Sequence, residues 1–130
     1  MATLHFELVS PERVLFSGEV EQVMLPATEG EMTVLANHAP VMTALATGFL
    51  IMTVNGKQTR VLVRGGFADV NAKGLTVLAE RAFNEDELNK EVFEKEVETA
   101  RKELGECPED MRHVAELALS QLLDIQAQYH

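Results

Sequence analysis

The spacing of apolar residues changes near Arg81, and this change limits the possible folds more than any other feature of the chain. Up to residue 80 apolar residues tend to alternate with polar ones, as Leu4, Phe6 and Leu8 do in the first segment. Beyond Arg81 they recur every three to four positions. Alternation is typical of strands with one wet face, and the longer spacing is typical of amphipathic helices. The sequence therefore predicts a β domain followed by helices.

Turn signals divide the β region into short strands. Asn55-Gly56 is the strongest hairpin signal in the chain, and residues 71–74 join a second strand pair. Such spacing predicts an antiparallel sandwich or a flattened barrel. Gly65 and Gly66 interrupt the next strand and indicate a bulge or a close crossing of two sheets. A phosphate-binding loop would need a helix directly after the glycines, and none is predicted there.

The helical region divides into two segments. Asn84 followed by Glu87 resembles a capping box and predicts a first helix over residues 85–104. Gly105 is expected to end that helix, and Pro108 is expected to start the second. The two helices would form an antiparallel hairpin, which gives two predicted domains, residues 1–82 and residues 83–130.

Two sets of apolar residues lie in the second helix. One set has helical spacing and predicts the seam with the first helix: Met111, Ala115, Ala118, Leu122, Ile125 and Tyr129. The other set widens the apolar surface beyond what a two-helix hairpin needs: Val114, Leu117, Leu119 and Leu123. This surplus implies cover by the β domain or by another protein.

The stretch 28–43 has no helical period and is predicted to be a presented surface. Glu29 and Glu31 flank a freely turning Gly30, and two carboxylates so close together favour an exposed tip. Pro40 restricts the residue before it to extended backbone, so His38 is expected on an outward-facing shelf.

Charge and composition exclude several classes of protein. The net charge is −10, and residues 81–130 carry 13 acidic against 6 basic residues, which argues against nucleic-acid binding. Cys107 is the only cysteine, so no internal disulfide forms and a reducing compartment is favoured. No signal peptide and no membrane-spanning run is evident, so membrane association is expected only through a protein partner.

The sequence contains no group of residues with the spacing and surroundings that catalysis requires. Cys107 and His113 are six residues apart across a helix start, which does not make a nucleophile and base pair. Glu29 and Glu31 have no apolar surroundings that would separate their pKa values for acid and base roles. Metal-ligand spacing and phosphate-loop motifs are missing, so no metal or cofactor is expected. The chain is interpreted as an adaptor or a regulator.

Six motifs in series carry a family resemblance. They are residues 6–12 (FELVSPE), 16–20 (FSGEV), 28–31 (TEGE), 38–40 (HAP), 65–70 (GGFADV) and 75–80 (LTVLAE). Together, over residues 3–82, they resemble the epsilon subunit of F-type ATP synthases. The resemblance implies an α+β fold, in which a ten-stranded antiparallel β-sandwich precedes a helical hairpin. It also implies a non-catalytic rotor subunit of the central stalk, which couples proton flow through the c ring to ATP synthesis at the cytoplasmic face of the bacterial inner membrane.

The same resemblance implies partners residue by residue. Positions matching those that face the gamma subunit are Ser10, His38, Ala39 and Thr43. Positions matching the loop that touches the c-subunit ring are Glu29, Gly30 and Glu31. Contact with the alpha and beta subunits would come through the C-terminal helices.

Two departures from the family pattern modify these expectations. Ala36-Asn37 replaces a common Pro-Gly before His38, and Asn keeps the turn possible. Residues 88–93 (LNKEVF) lack the acid and the arginine of ATP-binding members, so no nucleotide site is expected. The acidic helices also predict weak inhibition of ATP hydrolysis, because like charges oppose insertion beside an acidic partner. The alternatives are a stand-alone regulatory module that senses ATP and, more remotely, a small hydrolase.

Overall fold

The computed structural model describes residues 3–36 and 38–128. These residues form two compact units, a sandwich unit (Met1–Glu85) and a helical unit (Asp86–His130). The strands of the sandwich unit are β1 (Leu4–Val9), β2 (Val14–Val20), β3 (Gln22–Ala27), β4 (Gly30–Leu35), β5 (Val41–Ala44), β6 (Gly48–Val54), β7 (Lys57–Asn71) and β8 (Gly74–Asn84). A 3₁₀ turn (Glu85–Glu87) ends the sandwich unit, and the helices α1 (Lys90–Glu106) and α2 (Arg112–Gln128) follow, with a second 3₁₀ turn (Glu109–Met111) between them.

Hydrogen bonds join the eight strands into one continuous sheet. Its order is β2-β1-β8-β7-β6-β3-β4, and β5 pairs with β7 in addition. Every pairing is antiparallel except that of β1 with β8, which is parallel. Parallel neighbours need a long connection, and here the six intervening strands provide it. The predicted antiparallel sandwich is therefore confirmed with one parallel pair inside it.

The hairpin of β7 and β8 belongs to both layers of the sandwich. The first half of β7 pairs with β6 from Lys57 to Val63, whereas its second half pairs with β5 from Phe67 to Val70. The partner layer therefore changes between Val63 and Phe67. If β7 and β8 are each counted as two segments, the eight continuous strands correspond to the ten strands that the family resemblance implies.

Gly65 and Gly66 lie where β7 changes layers, and they explain how it does so. The register of β7 with β8 continues unshifted from Arg64 to Gly66, so no extra residue is inserted. A Cβ atom on Gly66 would overlap the carbonyl oxygen of Leu78, and Gly66 has a φ of +118°. The predicted bulge is therefore wrong, and the glycine is needed instead because the backbones of the paired strands β7 and β8 approach closely.

The core of the sandwich is built from aliphatic side chains and one phenylalanine. The side chains of Phe6, Leu8, Leu25, Leu50 and Val61 are fully buried within it. They point to one side of their strands, as the alternating pattern predicts. Phe16 packs against Phe6 at a ring-centroid distance of 5.6 Å.

The helices begin and end at different residues from those predicted. Asn84 is the last residue of β8, pairs with Val61 and directly precedes the 3₁₀ turn, so it does not cap α1. Asn89 is the N-cap of α1, where its side-chain oxygen accepts a hydrogen bond from the Val92 backbone N–H at 2.9 Å. Gly105 lies inside α1, which continues to Glu106.

Buried side chains on the two helices differ in part from the predicted seam. They are Phe93, Glu96, Val97 and Ala100 on α1 and Leu119 and Leu122 on α2. Of the predicted seam, Leu122 is buried, whereas Met111 is exposed and precedes α2. Leu119 had been assigned to the surplus apolar surface and is instead buried. Tyr129, the last seam residue, lies outside the described residues.

Candidate functional site

One of the predicted contact residues, Ser10, lines an apolar groove, and another, Thr43, lies in the strand next to β7. Ser10 follows β1, and Thr43 lies in β5 opposite Ala68 of β7. The groove has a volume of about 340 Å³ and is lined by Val9, Ser10, Pro11, Gly66, Phe67, Leu78, Ala79 and Glu80. Because Ala68 is buried, the Thr43 side chain lies on the core side of the sheet, opposite the face that holds the groove.

Ser10 is held in a closed turn between β1 and β2. Its backbone N–H donates to the Arg13 carbonyl at 2.9 Å, and the Arg13 N–H donates back to the Ser10 carbonyl at 3.3 Å. The Ser10 hydroxyl donates to the same Arg13 carbonyl at 3.4 Å, and the residue is buried. Arg13 also donates to the Ala82 carbonyl of β8 at 3.3 Å. This turn gives one end of the groove a fixed backbone.

An apolar row crosses the outer face of the sandwich layer that contains β2, β1, β8, β5 and part of β7. The outer face is the one opposite the core. Strand register places five residues side by side on β2, β1, β8, β7 and β5, namely Val14, Val9, Leu78, Phe67 and Ala44. Phe67 and Leu78 remain 58% and 56% exposed, and Val14 is 64% exposed. Five strands at a spacing of about 4.8 Å make the row roughly 20 Å long. A contiguous apolar surface of this kind is typical of a protein contact site.

Met42 adds to this surface from β5. It pairs with Asp69, one row away from Ala44 and Phe67 on the same face, and is 69% exposed. The row was missed from the sequence, although its signal is present in the alternation of residues 67–70. Ala68 and Val70 are buried, so Phe67 and Asp69 must point outward.

His38 and Ala39 lie at the other end of β5. The Nδ1 atom of His38 is 2.8 Å from the Ala39 carbonyl oxygen, and since a carbonyl only accepts, this nitrogen carries the proton. The His38 backbone N–H donates to the Leu35 carbonyl at 3.1 Å. Asn37, which was expected to shape this turn, lies outside the described residues. The strand β5 thus separates His38 and Ala39 from the apolar groove.

Glu29 and Gly30 form an exposed tip between β3 and β4, with Glu31 beside it on β4. All three residues are exposed. The Thr28 backbone N–H donates to the Ala44 carbonyl at 3.1 Å, which ties the tip to the end of β5. The three predicted ring-contact residues are therefore together. The four predicted gamma-contact residues are not: His38 and Ala39 precede β5, Thr43 lies within it, and Ser10 lies in the β1–β2 turn.

The side chains considered for chemistry have structural roles. The Cys107 thiol donates to the Leu104 carbonyl at 3.2 Å in the connection between α1 and α2. The residues that correspond to the nucleotide motif span the start of α1, where Asn89 serves as the cap. Among residues 3–36 and 38–128, no three His, Cys, Asp or Glu side chains are grouped as metal ligands. Within the same described ranges, no helix is long and apolar enough to cross a membrane.

Comparisons with known proteins identify the family of this chain. The family model of the ATP synthase delta/epsilon chain β-sandwich domain matches residues 3–85. The chain belongs to the ATP synthase delta/epsilon chain family. The ATP synthase epsilon chain of Rhizobium meliloti (strain 1021) is 47% identical over 121 residues, which cover 92% of this chain and 90% of the relative. The epsilon chain of Nitrobacter winogradskyi (strain Nb-255) is 53% identical over 93 residues, or 72% of this chain and 69% of the relative.

Solved structures extend the similarity to the whole chain. A chain in the cryo-EM structure of Euglena gracilis mitochondrial ATP synthase (OSCP/F1/c-ring) matches 100% of this chain and 83% of its own length, with a TM-score of 0.74 and 28% identity. A chain in the central stalk and c-ring structure of Tetrahymena thermophila mitochondrial ATP synthase covers 72% of this chain and 75% of its own length. Its TM-score is 0.58 at 17% identity, so this second match supports the fold alone. Both the sandwich and the two helices are thus features of this family's fold.

Proposed function

We propose that this epsilon-family chain is a non-catalytic rotor subunit of an F-type ATP synthase. In this role it links the gamma subunit to the c-subunit ring and so couples proton translocation to rotary ATP synthesis. Its place is peripheral, at the cytoplasmic face of the bacterial inner membrane, where it is held by the complex. The observation that carries the proposal is the exposed apolar row of a sandwich whose relatives are ATP synthase epsilon chains.

The gamma subunit is the proposed occupant of the outer face. Phe67 and Leu78 are directly opposite each other, so together they present a compact apolar centre. Ser10 closes the end of the adjoining groove, whereas Thr43 lies one strand away with its side chain on the core side of the sheet. Large apolar side chains at the centre of an interface usually carry most of the binding energy. Ser10, with its buried hydroxyl, is proposed to act through the shape of its turn.

The c ring is the proposed partner of the tip formed by Glu29, Gly30 and Glu31. Two exposed carboxylates on one tip suit a partner that offers cationic or N–H donor groups. The tip of Glu29, Gly30 and Glu31 lies next to the Ala44 end of β5. It can therefore contact the c ring while gamma covers the outer face. His38 and Ala39 would extend the gamma contact beyond the opposite end of β5.

The helical unit is proposed to inhibit ATP hydrolysis only weakly through the alpha and beta subunits. Met111, Val114 and Leu117 are exposed and offer apolar contact area. Arg112 is the only Lys or Arg in α2, and its Nε atom is 3.1 Å from the Glu116 carboxylate. Insertion of α2 beside an acidic partner would have to break the Arg112–Glu116 ion pair. The other charges of the helical unit are mostly negative and would repel such a partner.

Binding to purified gamma subunit tests the outer face directly. Phe67→Ser should weaken binding by about tenfold or more, in the range of a central interface residue. Leu117→Ser is the matched control, because Leu117 is 53% exposed on α2, outside the sandwich unit. Both variants replace one exposed apolar side chain by serine, and far-UV circular dichroism checks that each is folded. Equal affinity of Phe67→Ser and Leu117→Ser for gamma would refute the proposed interface.

The tip needs its own measurement. Glu31→Lys should lower ATP-driven proton pumping by the reconstituted complex, since the charge facing the ring is reversed. Glu98→Lys makes the same charge change at an exposed position of α1 and should leave pumping as in the wild type. If Glu31→Lys pumped protons as fast as the wild type, the tip would not take part in coupling.

A further inference from the structure

A polar cluster at the far end of the outer face joins β1 to its neighbour β2. The Nδ1 atom of His5 is 3.1 Å from a Glu19 carboxylate oxygen on β2. The Nε2 atom of His5 is 3.2 Å from a Glu7 carboxylate oxygen on β1. The Thr3 hydroxyl donates to the second oxygen of Glu19 at 3.2 Å. His5 and Glu7 of β1 alternate with the buried Leu4 and Phe6, so they lie on the face that carries the apolar row, and Thr3 directly precedes the strand.

The protonation state of His5 decides how many of these contacts are hydrogen bonds. A neutral imidazole has one N–H group and one lone pair, whereas the imidazolium has two N–H groups. An ionised carboxylate can only accept. Both ring nitrogens of His5 face a carboxylate oxygen, so both contacts are hydrogen bonds only when His5 is protonated.

We infer that His5 is a proton-controlled link that fastens edge strand β2 to β1 through Glu19 and loosens when His5 loses its proton. The strand β2 is at one end of the sheet order, so it has only β1 as a hydrogen-bonded neighbour in that sheet. His5 and Glu19 are directly paired across the two strands. A side-chain link at this pair therefore adds to the backbone bonds at the end where β1 begins and β2 ends.

The charged surroundings favour protonation of His5. Hydrogen bonds to Glu7 and to Glu19 raise the pKa of His5 above its ordinary value of 6.5, and desolvation acts weakly in the opposite direction. Lys73, from the turn before β8, and His38 line the same groove of about 470 Å³ as His5 and Glu19. The positive charge of Lys73 would oppose protonation by like-charge repulsion, but the two carboxylates make direct contact with the ring.

The direction of the pH effect follows from the raised pKa. The link contributes fully to the folded state below the unfolded pKa of about 6.5 and is lost as the pH rises through the higher folded pKa. The apolar row crosses β2 at Val14, toward the opposite end of that strand. Loss of the link would thus free the end of β2 without removing the apolar row.

Imidazole NMR titration of the full-length chain is the direct test. His5 in the wild type should titrate above 6.5, and Glu19→Gln should lower that pKa. The matched control is Glu12→Gln, which removes the same charge from an exposed position in the β1–β2 turn and should leave the pKa of His5 unchanged. An ordinary His5 pKa in the wild type, or equal shifts in both variants, would overturn the inference.

Amide hydrogen exchange, corrected for the intrinsic pH dependence, tests the consequence for β2. Protection of the Ser17 and Glu19 amides should fall as the pH rises through the His5 pKa, while protection in β4, at the other end of the sheet order, should not follow it. In His5→Gln this pH dependence should disappear, because glutamine does not titrate. The same pH dependence in the wild type and in His5→Gln would show that His5 does not control the strand.

Discussion

Gly66 of β7 and Leu78 of β8 approach each other so closely that a Cβ atom on Gly66 would overlap the Leu78 carbonyl oxygen. Gly66 is followed in β7 by Phe67, which pairs with the same Leu78 at the centre of the apolar row. The glycine at the layer change therefore lies directly beside the proposed interface.

Gly66→Ala should destabilise the sandwich unit by about 1–3 kcal/mol. The new methyl group meets backbone atoms that cannot move aside, and the φ of +118° is unfavourable for alanine. Urea unfolding followed by far-UV circular dichroism gives the free energy of unfolding. Gly18→Ala is the control, because its Cβ would meet only the Phe16 ring at an ordinary distance of 3.5 Å. A loss of stability in Gly18→Ala as large as in Gly66→Ala would contradict this explanation.

Asn89→Ala should destabilise α1 by about 1 kcal/mol, since the side chain that accepts the Val92 N–H is removed. Asn89→Asp keeps an oxygen acceptor at the same place and should retain most of the stability. The helical signal at 222 nm during thermal unfolding distinguishes the two variants. If Asn89→Asp is as unstable as Asn89→Ala, the cap does not hold the start of the helix.

Gly105→Ala should stabilise α1 by about 0.5–1 kcal/mol, because glycine lowers the stability of a helix interior. Gly105 is exposed, and a Cβ atom there would meet no heavy atom within 4 Å. The same thermal unfolding experiment measures the gain. A destabilised Gly105→Ala variant would instead mean that the helix ends at this glycine, as the sequence pattern alone predicts.

Local sequence signals predicted the elements of this fold better than their ends. The alternation of Leu4, Phe6 and Leu8 predicts β1 because a strand with one buried face needs little more than that pattern. The predicted start of α1 was wrong because Asn84 and Asn89 both precede segments that are compatible with a helix, and the sequence alone favoured the first. Pairing with Val61 holds Asn84 in β8, and this long-range contact is invisible to a local pattern.

In the candidate site, too, local features could be predicted from the sequence and long-range ones could not. The tip at Glu29 was predicted correctly as exposed, since two neighbouring carboxylates repel each other less when water surrounds them. The apolar row could not be assembled from the sequence, because it requires the pairing of β1 with β8 and of β5 with β7. Residues far apart in the chain form it only after the layers are connected.

Arg60 should stabilise the exit from β8 through two contacts that can be separated by substitution. Its guanidinium carbon lies 4.1 Å from the centre of the Phe49 ring, and its Nε atom is 2.7 Å from a Glu85 carboxylate oxygen. Arg60→Lys keeps the charge and loses the flat stacking, so it should cost about 0.5–1 kcal/mol of unfolding free energy. Glu85→Gln should cost less than about 1 kcal/mol, because both side chains of the ion pair are nearly half exposed.

Urea unfolding of both variants at low and high salt separates the two contributions of Arg60. The Glu85 contribution should shrink at 1 M NaCl, where charges are screened over about 3 Å. The Phe49 contribution depends less on salt, because the guanidinium is in direct contact with the ring. If the effect of Arg60→Lys disappeared at high salt together with that of Glu85→Gln, the ion pair alone would explain the role of Arg60, and its position over Phe49 would contribute no stability.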